Sequence, residues 1–284
     1  MRLGIHTSTS GGLVGAAEKA AALGANTFQI FSASPRMWRA LPPDPEQVRR
    51  LRAARDQFDL DPLVIHVNYL INLASSDPAI RDKSIEAFRG EMERALAIGA
   101  EFLVLHPGSY KGGSPDDGMH ALASGLRDAA KGLHVSKFTV LLENTAGAGQ
   151  HLGSRFEELR QIRDLTAELT DLGTGYCLDT CHLLAAGFPI ATTRGLADTV
   201  SAAEAALGLA NVHVIHANDS KGALGSHTDR HANIGEGHIG AEAFHRILTH
   251  PKLRSKPFIL ETPVDREGDD RRNLDKLKSL AGRV

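Results

Sequence analysis

The sequence predicts an α/β fold: a single closed barrel of eight parallel strands and eight helices, a (β/α)8 or TIM barrel over residues 1–284, with its working site on the C-terminal rim of the strands. Three observations carry this. Short apolar runs alternate with amphipathic stretches eight times along the chain. No linker or low-complexity segment divides that series. Seven of the eight apolar runs finish on a histidine or an acid: His6, His66, His106, Glu143, Asp179, His216 and Glu261. The alternation alone also fits an open doubly wound sheet. In a closed barrel all those strand ends converge on one rim, and buried singly in a core such groups would be costly.

In chain order, residues 2–6 read as a strand and 12–23 as a helix whose alanines mark close packing. Residues 27–30 form a second strand, followed by a loop with Ser34-Pro35-Arg36-Met37-Trp38. The helix over 45–58 has Asp44 as its cap and Pro45 in its first turn. A strand over 63–66 leads to a long helix over 78–98 that ends near Gly99. The remaining units pair strands 102–106, 139–143, 175–179, 212–216 and 258–261 with helices 119–131, 155–169, 193–207, 241–248 and 269–280.

A formal net charge of −2 implies no broad cationic face, so nucleic-acid binding would have to come from a local site. The chain opens into a strand-like run without a signal-peptide core, and no apolar run is long enough to span a bilayer. Cys177 and Cys181, four apart around Asp179, are too sparse for a disulfide scaffold. Small buried thiols are favoured over a metal pair, and a reducing, cytoplasmic setting follows. No exposed apolar stripe stands out, so a monomer is expected.

The richest stretch is 212–219, VHVIHAND, followed by Asp229-Arg230-His231. Val212, Val214 and His216 share one face of a strand, with an imidazole where the pattern calls for another valine. Neutral imidazole with carboxylate is the ligand chemistry of a borderline divalent metal, zinc first; a core histidine and a solvated loop are the plainer reading of that stretch alone. Along the chain the candidates are His66, His106, Glu143, Asp179, His182, His216, Asp229, His231 and Glu261. Nine ligands are too many for one ion and ample for two; at four or five per ion, with a bridging carboxylate, they suit three. Three divalent cations bring six positive charges, against four carboxylates and one bridging hydroxide. The remaining positive charge suits a phosphate oxygen, as a phosphodiesterase requires.

The segments 66–73 (HVNYLINL), 106–109 (HPGS), 143–147 (ENTAG), 179–182 (DTCH), 229–231 (DRH) and 235–240 (GEGHIG) resemble the endonuclease IV family of apurinic/apyrimidinic (AP) endonucleases, in the family's order and across nearly the whole chain. The resemblance implies a trinuclear zinc site, with manganese as a possible substitute, that cleaves double-stranded DNA on the 5′ side of an abasic nucleotide, leaving a 3′-hydroxyl and a 5′-deoxyribose phosphate. It implies that Glu143 bridges two zincs, with His66 and His106 on the first and Asp179, His216 and Glu261 on the second. His182, Asp229 and His231 would hold the third. Glu261 is similar to the residue that orients or deprotonates the attacking water. Arg36, Tyr69 and Leu70 match positions used to fill the gap left by a missing base, and Arg230 is placed to reach a phosphate. Ser34 and Met37 depart from the Asn and Gln often found beside that arginine.

The competing reading is a sugar isomerase or epimerase of the xylose-isomerase-like barrel group, which needs one or two metals and leaves His182, Asp229 and His231 surplus. Of the other histidines, His213 is expected to face the helices, and His120, His134, His151, His245 and His250 to lie on the surface. His6 is expected to line the pocket, and neither His227 nor His238 to be a ligand. Gly235-Glu236-Gly237 is weak evidence for a phosphate loop and reads as a permissive turn.

Overall fold

Eight parallel strands close on themselves in the computed structural model, which describes residues 1–135 and 138–282; the other four positions of the 1–284 span lie outside the described residues. The strands are β1 (Leu3–His6), β2 (Thr27–Phe31), β3 (Leu63–His66), β4 (Phe102–Leu105), β5 (Thr139–Glu143), β6 (Gly173–Asp179) and β7 (Val212–His216). Between β7 and the last barrel strand, the short strands β8 (Asp219–Ser220) and β9 (His231–Ala232) pair antiparallel. The barrel closes where β10 (Phe258–Leu260) pairs with both β7 and β1. Around it lie α1 (Gly12–Ala22), α2 (Pro45–Phe58), α3 (Pro78–Ile98), α4 (Pro115–Ala130), α5 (Phe156–Leu169), α7 (Thr193–Leu207), α8 (Ala241–Thr249) and α9 (Asp269–Ala281), with a short α6 (Thr180–Ala185) directly after β6. Among the described residues no helix is long and apolar enough to cross a membrane.

Strand alternation separates two cores. Outward residues such as Leu63, Ile65, Leu103 and Leu142 join the helices in one large cluster. Inward, Val64, Val104, Leu141, Cys177, Val214 and Ile259 form a plug inside the barrel. Two residues beyond each plug member stands a candidate ligand: His66, His106, Glu143, Asp179, His216 and Glu261, respectively. Period-two geometry therefore places an apolar floor under a polar ring.

Element ends differ from expectation where side chains intervene. Helix α4 starts at Pro115 because the Ser114 hydroxyl accepts from the Asp117 N–H. The unexpected α6 is capped by Asp179, whose carboxylate accepts from the His182 N–H at 2.8 Å. Strands β4 and β10 stop one residue before His106 and Glu261. The register between β6 and β7 slips between Tyr176 and Cys177, which face Val212 and Val214. The slip puts Val212 in the outer cluster. It also overturns the expectation for His213, whose ring stacks on Phe102, a neighbour of the inner plug, at 5.2 Å. A Cβ on Gly175 would lie 2.5 Å from the His213 ring, so glycine is what admits it.

At the opposite end of the barrel Arg55 gives Glu101 two bonds of 2.8 Å and also donates to the Gly99 and Leu60 carbonyls. Glu101 in turn accepts from the Leu63 N–H. Arg55→Ala strands these acceptors, so urea unfolding should show a loss of about 2 kcal/mol with unaltered catalysis.

Candidate metal centre

The nine candidate ligands converge on the rim in three adjoining groups, and within each group the ligand atoms lie within 4.8 Å of one another. His66, His106 and Glu143 make the first, Glu143, Asp179, His216 and Glu261 the second, and His182, Asp229 and His231 the third. Strand order explains the first two. Neighbours β3, β4 and β5 supply one, and β5, β6, β7 and β10 the other. The third comes from α6 (His182), from the loop between β8 and β9 (Asp229) and from the start of β9 (His231). Glu143 belongs to both strand-borne groups: Oε2 lies 3.3 Å from His66 Nε2 and 3.0 Å from His106 Nε2, while Oε1 lies 2.9 Å from His216 Nδ1.

The supporting bonds aim the imidazoles. His66, His182 and His231 each direct Nδ1 at a backbone carbonyl, those of Val67, Asn144 and Glu261, at 2.7, 2.8 and 2.9 Å. A carbonyl only accepts, so Nδ1 carries the proton and Nε2 faces the acids with a free lone pair. The buried Nε2 atoms of His182 and His231 have no hydrogen-bond partner, although Asp229 Oδ1 stands 3.1 and 3.3 Å away. His216 is set the other way round: its Nε2–H meets Gln29 Oε1 at 2.8 Å, leaving Nδ1 between Glu143 and Glu261. Lone pairs that converge on shared points call for cations there, and the donor set of five imidazoles and four carboxylates fits zinc.

Without metal, protons fill that need. Burial would raise the Glu143 carboxyl, yet His216 and His106 hold it well below the usual carboxylate range. The same contest, decided by His216 and then His6, keeps Glu261 low. Against burial, Asp179 and Asp229 push His182 up to about 10, and Asp229 and Asp179 push His231 up to about 9. Metal uptake displaces such protons. Two further groups include Cys177 and Cys181, but burial pushes each thiol up to about 12, which disfavours the thiolate needed for ligation.

Three residues missed in the sequence complete the site. The second strand is the one without a terminal His or acid, and at the matching inward position it carries Gln29. Its amide donates to Glu261 at 2.6 Å and lies 3.0 Å from His6 Nδ1. Asn218 donates to Asp179 at 2.6 Å, and its carbonyl oxygen accepts from the Glu261 N–H. Asp219, fully buried, accepts from the N–H groups of Ser220, Gly235, Gly237, Ile239 and Gly240. That carboxylate fills the amide nest in which a phosphate-loop reading would seat a phosphate. The GEGHIG segment is thus a clamp for the β8–β9 hairpin, which bears Asp229 in its loop and His231 at the start of β9. A Cβ on Gly237 would sit 2.4 Å from the Ser220 carbonyl oxygen. The signal was a buried acid after an apolar run followed by spaced glycines.

The metal groups open into a cavity of about 290 Å³ lined by His6, Phe31, Tyr69 and Thr262 as well as by ligand residues. His6 lines it as expected. Among the described residues, the groups that could hold a metal ion do not include His227 or His238. Arg36 and Arg230 are exposed, Leu70 is half-buried, and Tyr69 is 68% exposed with its ring edge-on to Phe31 at 5.3 Å.

The family of xylose isomerase-like TIM barrels matches residues 17–280. A Solibacter usitatus protein called probable endonuclease 4 is 73% identical over 282 residues, covering 99% of this chain and 97% of that one. The crystal structure of endonuclease IV from Thermus thermophilus superposes with a TM-score of 0.87 at 38% identity, over 99% of this chain and 98% of that one. A D-tagatose 3-epimerase-like protein reaches a TM-score of 0.67 at 21% identity over 99% of this chain and 97% of that one, a likeness of fold alone. Relatives alike over their whole length, on a barrel of the same shape, place the result beyond the shared fold: the chain belongs to the endonuclease IV family, within the xylose isomerase-like TIM barrels.

Proposed function

We propose that this protein is a zinc-dependent AP endonuclease of base-excision repair, hydrolysing the phosphodiester 5′ to an abasic site in duplex DNA and leaving a 3′-hydroxyl and a 5′-deoxyribose phosphate. The observation that carries this reading is the convergence of nine ligands into three adjoining groups beside one open cavity. Three zinc ions held there, replaceable by manganese, would supply a nucleophile near neutral pH and charge compensation for the phosphate and the departing oxygen. His66 and His106, with Glu143, would hold the first, and Glu143, Asp179, His216 and Glu261 the second. His182, Asp229 and His231 would hold the third.

The chain's own groups do the rest. Glu143 ties two metal positions together. Glu261, ionised and held by Gln29 and Asn218, orients the attacking water and takes its proton on a carboxylate oxygen. Arg36, Tyr69 and Leu70 enter the gap left by the missing base, where the duplex kinks at low cost, and Arg230 meets a phosphate. The acting unit is a single chain, residues 1–284, working as one catalytic domain. The free thiols Cys177 and Cys181 suit a reducing, cytoplasmic compartment.

Purified protein is expected to nick a duplex with one tetrahydrofuran abasic analogue without added magnesium, and elemental analysis should find three zinc ions per chain. Inertness of the fully loaded protein on that duplex would overturn the proposal. The epimerase reading rests on likeness of fold alone and is less supported; two or fewer tightly held ions, with turnover of a ketose, would favour it.

A further inference from the structure

Helix α3 carries an ion pair buried on the far side of the recognition loops from solvent. Glu91 and Arg94 are only 2% and 7% exposed and meet at 3.0 Å. Removing two charges from water is costly, and apolar residues of similar volume often serve stability as well or better. The pair also bonds to two loops. Glu91 Oε2 accepts from the Ser32 hydroxyl at 2.5 Å, and Arg94 Nε donates back to that hydroxyl at 2.8 Å. Glu91 Oε1 accepts from Asn68 Nδ2 at 3.1 Å, while Asn68 Oδ1 accepts from the Leu70 N–H at 3.0 Å. Ser32 opens the loop with Arg36; Asn68 opens the turn with Tyr69 and Leu70. Directly between the two loops runs one long backbone bond, from the Tyr69 N–H to the Pro35 carbonyl at 3.3 Å.

We propose that the Glu91–Arg94 pair is a positioning element for damage recognition. It locks the two loops to one helix so that Arg36, Tyr69 and Leu70 meet an abasic gap as a preformed set. The inference rests on the reading of those three residues as DNA contacts. Neither Glu91 nor Arg94 belongs to any metal-holding group, so the pair acts through the loops. A set held in place before binding avoids the ordering cost at the moment of association, which appears in substrate affinity rather than in turnover.

The test is the charge-neutral double variant Glu91→Leu/Arg94→Leu, with Ser32→Ala as a milder cut that frees one loop and keeps the ion pair. On the tetrahydrofuran duplex the double variant should raise KM about tenfold and Ser32→Ala about threefold, with kcat within twofold of wild type. Bound zinc and melting temperature should hold, and competition with undamaged duplex should show the preference for abasic DNA falling in parallel. Unchanged KM and preference in an active, folded double variant would refute the positioning role. So would kcat, zinc content and melting temperature falling together, the mark of a purely structural pair. Wild-type protein inert on abasic duplex would instead bring down the DNA-repair reading, and this inference with it.

Discussion

Glu261→Gln should lower kcat roughly 10³-fold while abasic duplex still binds within a few-fold of wild type. The expectation follows from what the substitution keeps. Glu261 Oε1 accepts from Gln29 at 2.6 Å, and its backbone N–H donates to Asn218, so an isosteric amide stays in place. Its carboxyl is held below the usual carboxylate range by His216 and then His6 against the effect of burial, so it is ionised across the neutral range and able to take a proton. An amide is not. Single-turnover incision gives the rate, a gel-shift with the tetrahydrofuran duplex gives the affinity, and elemental analysis reports whether the metals remain. Undiminished incision would remove Glu261 from its assigned role, and loss of metal together with rate would reduce it to a ligand.

How far the molecule could be read before its structure depends on the range of the interaction involved. Period-two alternation is local, so the apolar runs, and the polar residue two places beyond each plug member, were visible one strand at a time. Once closure is granted, neighbouring strand ends lie about 5 Å apart, and consecutive ligands such as His66, His106 and Glu143 must meet. The misreading of His213 has a non-local cause: the slip between β6 and β7 depends on Gly175 of one strand admitting a ring from the next. The short α6 was hidden because its capping residue, Asp179, had already been read as a ligand. It serves both the helix and the site, its Oδ1 accepting from the His182 N–H and its Oδ2 from the Asn218 amide. Gln29, Asn218 and Asp219 escaped because amides, and an acid spent on backbone N–H groups, carry no metal signature, and their value appears only when partners many residues away arrive.

Glu143→Ala and Asp229→Ala should separate the metal positions by how firmly each is built. Glu143 is fully buried, and its two oxygens face His66, His106 and His216 across two groups. Removing it leaves three imidazoles around a void, so neither strand-borne position closes. The protein should retain at most one of three zinc ions, lose about 3 kcal/mol of stability and show no measurable incision. Asp229 stands on the β8–β9 loop with its side chain half exposed, and its group shares no ligand with the other two. Asp229→Ala should therefore release one ion and keep two, with little change in melting temperature and a rate reduced by about 10²–10³-fold. The same asymmetry orders metal removal from the wild type. Chelator should first empty the proposed His182–Asp229–His231 position, where the Asp229 side chain is half exposed, with activity falling in that phase, and reach the proposed Glu143-linked pair only later. Zinc release followed by a colorimetric indicator during timed chelation reads both phases. A single phase releasing all ions together, or an Asp229→Ala protein that still holds three, would show that the groups do not act as separate sites.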